Sequence, residues 1–347
     1  MRRCAALVFM AALLILTSCG GDTVGGVLGG ILGEAGADVT EYAQPADTGI
    51  NRVDIRFELV SLIFRLAGFT EYNARQTAYQ NRIGPAFNEF SLHPAVEFAR
   101  NLHGFDAPLL FAVHLVYSDD GFALADETGS LVSDWRWTER AASEFAVLVN
   151  DFYRDSYFAD FFHSEENESY FVEWSDRLYT QLISALDKEW FAQFGLEPDR
   201  LTIMLAPSHS FFGRETMGLS AVRQCQQGEM NVYVFFQRHS TYSLPFFYER
   251  SVYFFSLAIA NPLSETWYTK NGDFRAIADG AAAARQYLFM ALMAMYYEDV
   301  HGRTDRYVFL ADFGYGFFPR LDEVIEMLRN APSQEIASIV RNIRFSG

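Results

Sequence analysis

Seven histidines, at 93, 103, 114, 163, 209, 239 and 301, are the side chains best suited to hold a metal or move a proton near neutral pH. Zinc hydrolysis on a helix needs two of them four residues apart with a Glu after the first. Both imidazoles then reach one ion and the carboxylate activates its water. No pair here has that spacing. Glu298-x-x-His301 puts a carboxylate and an imidazole on one helical face, a spacing found in carboxylate-bridged metal sites. Such sites need several elements of this kind, and a solvated helix end explains a single one. Glu249 precedes an apolar run, where a carboxylate suits a helix N-terminus better than general-base duty. His209 lies between Ser208 and Ser210 with no identifiable acid partner, so adjacency alone does not make a catalytic pair. Cys225, in Arg223-Gln224-Cys225-Gln226-Gln227-Gly228, reads as a thiol in a polar loop. Gly213, Gly314 and Gly316 are isolated turn residues, not a phosphate-binding loop.

The N-terminus carries an address. Arg2 and Arg3 precede an apolar run from Cys4 to Leu16, too short to span a bilayer and proportioned like a signal-peptide core. Leu16-Thr17-Ser18-Cys19 resembles the lipobox of bacterial lipoproteins, with residues 1–18 as signal and Cys19 as the lipidated residue. By the same resemblance, Gly20 in place of Asp directs the protein to the outer membrane of the cell envelope. Residues 19–50 form a glycine-rich tether, since glycine this dense costs too much backbone entropy for a helix or sheet. About 30 such residues span about 30 Å, enough to clear the lipid headgroups. With Cys4 removed and Cys19 lipidated, Cys225 is the one thiol left, and no internal disulfide can form.

The remaining chain, 51–347, reads as a single α+β domain, mostly helical. Phe57, Val60, Phe64 and Ala67 mark a helix ended by Gly68, and further helices are expected over 94–103, 138–154 and 168–186. Phe158 to Phe162 is an aromatic patch that belongs in a core. Leu201–Ala206 and Asn231–Phe236 read as buried strands. Pro245 to Ala260 reads as an apolar helix stopped by Asn261-Pro262, and a second apolar helix is expected over 274–297. Arg306 to Leu310 suggests a strand, with closing helices at 319–329 and 333–342.

Several stretches together resemble a bacterial family of unknown function whose members are read as zinc metallopeptidases. They are Glu58 to Gly68 with Glu71-Tyr72-Asn73, His93-Pro94-Ala95-Val96, Arg136-Trp137, Asp151-Phe152-Tyr153, Phe158 to Phe162 and Asn261-Pro262-Leu263. They recur in consistent order over roughly residues 51–300. The resemblance implies a gluzincin-like scaffold, a small sheet on two buried helices, with His-Glu-x-x-His on the helix that ends in Asn-Pro. Counting back from Asn261 puts the first His on Tyr253, the catalytic Glu on Phe254 and the second His on Leu257. The third ligand falls near Ala281, with Arg285 as the matching Arg. Phe254 and Leu257 can neither ligate nor carry protons, and Val252 to Ala260 holds no His or carboxylate. Packing should therefore fill the pocket, with Phe254 and Leu257 buried against the helix around Ala281.

The expectation is a lipid-anchored envelope protein that has lost its zinc site, has no cofactor, and serves a binding or scaffolding role with a peptide or protein as partner. The alternative is an active hydrolase with ligands relocated to His209, His239, Glu298 or His301. Against 27 Lys and Arg stand 44 Asp and Glu, a net −17 that loses two more positive charges with the signal. Such a surface repels phosphate backbones and excludes a nucleic-acid partner.

Overall fold

The computed structural model describes residues 53–73, 77–102, 107–118, 121–125, 131, 135–181, 185–208, 218–224, 230–236, 244–312 and 318–341. All of them fall in one unit, Thr40–Gly347, around one continuous core. The fold is α+β and mostly helical, as the periodicity requires.

The first half is built around helix α1 (Ile55–Leu66), buried on every side from Ile55 to Phe64. Asp54 caps its start by accepting from Arg56 N, and Gly68 (φ +92°) turns the chain just past its end. Four short helices follow: α2 (Thr70–Asn73), α3 (Ala78–Phe87), α4 (Pro94–Arg100) and α5 (Ala107–Ala112). Thr77 and Gln80 form a reciprocal capping box on α3. His93 caps α4 through Nδ1, with Pro94 in the first position, where its missing N–H costs nothing. A hairpin of β1 (Leu115–Ser118) and β2 (Gly121–Leu124) leads to α6 (Glu139–Asp155), α7 (Phe158–Phe162) and α8 (Glu165–Gln181). Aromatic rings tie these helices together. Phe64 and Phe145 meet edge-on at 6.1 Å, Phe111 stacks on Trp137 at 4.8 Å, and Phe158 and Phe162 of the expected patch are buried.

After α9 (Glu189–Ala192) comes a mixed sheet of β3 (Leu201–Leu205), β4 (Gly218–Gln224) and β5 (Met230–Phe236). β5 lies in the centre, parallel to β3 and antiparallel to β4, and Val53 adds a parallel bridge to Leu205. α10 (Leu244–Lys270) packs on β4 and β5 and pairs with α12 (Ala281–His301). α11 (Gly272–Ile277) joins them, and α13 (Arg306–Asp312), α14 (Leu321–Asn330) and α15 (Ser333–Arg341) close the unit.

Four expectations are corrected. α10 does not stop at Asn261-Pro262 but runs eight residues beyond Pro262. Pro262 leaves the Ala258 carbonyl without its helical donor, yet Leu263, Ser264 and Trp267 stay buried, so packing holds the helix across the break. The expected 274–297 helix is two, parted at Gly280 (φ +145°), a conformation only glycine adopts without strain. Residues 306–310 are helical, because short apolar runs do not distinguish helix from strand. β4 carries Arg223 and Gln224, which were read as loop. No helix among the described residues is long and apolar enough to cross a membrane.

Candidate functional site

The α10–α12 crossing carries Tyr253, Phe254 and Leu257, the positions that the resemblance assigns to a zinc motif. The two helices run antiparallel: the Tyr248 ring meets Tyr296 and Tyr297, and Tyr253 meets Phe289 edge-on at 4.8 Å. Tyr253 also meets Phe254 at 5.1 Å, and the Arg250 guanidinium lies 5.3 Å over the Tyr253 ring. The first motif position is thus held in an aromatic stack. Two details depart from expectation. Phe254 and Leu257 are half-buried rather than buried, since both lie on the flank of α10 and not on its core-facing stripe of Val252, Phe255 and Ile259. Ala281 is the first residue of α12, two turns (about 12 Å) before Phe289. The antiparallel register therefore sets Tyr253 opposite Phe289 and not opposite Ala281, because α10 continues past Pro262 and carries the helix start further along.

The other candidates at this end are tied into structure. Glu298 Oε2 accepts from Arg306 at 2.7 Å and lies 3.5 Å from Arg329, while Asp299 accepts from Arg329 and from Trp190 Nε1. His301 is exposed, its Nε2 2.8 Å from Tyr248 Oη, and that hydroxyl lies 2.7 Å from Tyr296 Oη. Tyr296 Oη in turn accepts from Asp187 N at 3.0 Å. Glu298 and His301 thus face different partners and do not converge on one point. Glu249 does not cap α10, which begins five residues earlier, at Leu244; its charge instead helps push up the pKa of Tyr297, after burial. His209, His239, Cys225 and Cys19 lie outside the described residues. No cluster of three or more His, Cys, Asp or Glu able to hold a metal occurs among the described residues.

A second region was missed by the sequence reading. Glu58, in the first turn of α1, is 1% exposed. Its Oε1 accepts from Ser208 N at 3.4 Å, a long bond, and its Oε2 has neither solvent nor a partner. Tyr79 from α3 and Ser208 from the turn after β3 flank the carboxyl. Each is close enough to favour its charge, but neither hydroxyl reaches hydrogen-bond geometry. Burial dominates and pushes the Glu58 pKa up to about 8; the Asp54 charge adds to this, and Ser208 and Tyr79 oppose it. A helix N-terminus favours a carboxylate by about 0.3–1 kcal/mol, too little to offset burial without a cation. Tyr79 is pushed well above its usual range, first by burial and then by Glu58. Beside the same turn lies a recess of about 10 Å³ lined by Val53, Leu205, Pro207, Tyr170, Phe171 and Trp174, room for about one water. The available signal was a lone carboxylate inside the apolar run Ile55 to Phe64.

No family model, curated protein or solved structure matches the chain.

Proposed function

We propose that the chain is a lipid-anchored bacterial envelope protein, held through Cys19, whose domain works by binding a peptide or protein and not by zinc chemistry. The observation that carries this reading is the aromatic stack of Tyr253 between Phe254, Phe289 and Arg250 at the position where the resembled family holds its metal. An ion needs converging lone pairs there, and the stack offers at most one phenol oxygen. The metallopeptidase-like scaffold rests on the sequence resemblance. A small mixed sheet followed directly by the long apolar helix is in keeping with it. Glu298 and His301, two of the relocated ligands a hydrolase would need, are engaged with Arg306 and Tyr248. An outer-membrane address follows from Gly20.

Two assays test the proposal. Cells fed labelled palmitate should label the wild-type protein and not Cys19→Ser; equal labelling of both overturns the anchor. Purified protein incubated with casein should leave it intact. Cleavage lost on chelation overturns the binding role.

A further inference from the structure

Glu58 lies among three elements: its own α1, α3 through Tyr79, and the exit of β3 through Ser208. No Arg, Lys or His among the described residues pairs with it. Arg56 is engaged with Asp54 and the Leu115 carbonyl. Arg82 lies over the Tyr79 and Tyr170 rings and donates to Glu166 and Asn167. The charged or titratable groups facing the carboxyl are thus Asp54 from its own helix and Tyr79 from α3, while the β3 exit brings only Ser208. Neither Asp54 nor a neutral phenol can neutralise a buried carboxylate, so a proton must do so while the site stays closed.

We propose that Glu58 is a proton-operated latch: a neutral carboxyl lets the Pro207–Ser208 turn stay closed over it against α1, and ionisation, which the closed site cannot hydrate, opens that turn to water. The turn is the element that yields. α1 is a hydrogen-bonded helix buried on all sides from Ile55 to Phe64, whereas Ser208, also buried, lies past the end of the β3 ladder and is held to Glu58 by one 3.4 Å bond. The recess at Pro207 and Leu205 is a small apolar gap in the packing on the same turn. The closed form keeps a proton that the open form sheds, so acid tightens the latch and rising pH loosens it.

Hydrogen exchange on the whole protein, corrected for the intrinsic effect of pH, tests this at the amides of Ala206 and Ser208, which flank Pro207. Opening should rise about tenfold per pH unit from about pH 5 and level off near pH 8. Glu58→Gln, similar in shape and always neutral, should flatten the profile. Tyr79→Phe removes a group that favours the carboxylate and should move the plateau to higher pH. Amides of Leu288 to Met295 in α12 should not follow the rise. A flat wild-type profile, a slope that survives in Glu58→Gln, an unmoved plateau in Tyr79→Phe, or the same slope in α12 would each overturn the latch.

Discussion

The α10–α12 crossing and the Glu58 cluster are near-opposites. At the crossing, the motif positions have the spacing of a reactive site, yet rings and an aliphatic side chain occupy them. Glu58 opens a stretch with no catalytic spacing, yet its carboxyl is buried without a counter-charge and its pKa is pushed up to about 8. One region has the pattern without the groups, and the other has the group without the pattern. The contrast teaches that spacing marks where chemistry could be assembled, whereas burial and partners decide which side chain is poised to change state.

That contrast can be broken at either end, and the largest effect belongs to the crossing. If it is a packed core, Phe289→Ala should cost about 3–4 kcal/mol in denaturant unfolding, because the ring is 4% exposed and seats Tyr253. A loss below 1 kcal/mol would mean an open cleft. Next comes Glu58. Its pKa is raised in the folded state, so folding takes up a proton between pH 4.5 and about 8, and stability falls across that window. Glu58→Gln should therefore be more stable than wild type at pH 8, by on the order of 4 kcal/mol, and nearly equal to it at pH 4.5. Equal stability at both pH values would remove Glu58 from the comparison.

Smaller effects test the end of α12 that the sequence offered as an alternative metal site. Tyr248→Phe deletes the hydroxyl between His301 and Tyr296 and should cost about 1 kcal/mol by thermal unfolding. Glu298→Gln weakens contacts to Arg306 and Arg329 that are partly open to water, and should cost less than about 1 kcal/mol. A larger loss accompanied by a lost hydrolytic activity would revive the relocated-ligand reading.

Much of the helical framework was legible because its punctuation is local. Gly68 marks the end of α1, and the spacing of Phe57, Val60 and Phe64 marks its buried face; the caps Asp54, Thr77, His93 and Thr138 are equally local but formed no part of the expectation. Pro262 misled for the opposite reason: a local breaker was overridden by burial on both sides of it. The β1–β2 hairpin and β4 are not among the expectations because strands of four to seven residues carry too little alternation to stand out. Tyr253, Phe254 and Leu257 lie on one long helix, as the apolar run over 245–260 suggests, but Ala281 does not lie at their level. Glu58 was hidden by its own composition, one acid in an apolar run, until Ser208, 150 residues away, was brought against it.

The central claim is that the crossing of α10 and α12 holds side chains and no metal. Elemental analysis of the purified protein, after incubation with zinc and exhaustive dialysis, measures this directly. The account predicts zinc well below one per chain and a melting temperature unmoved by chelator. One zinc per chain, lost together with stability on chelation and absent from Tyr253→Phe, would contradict it.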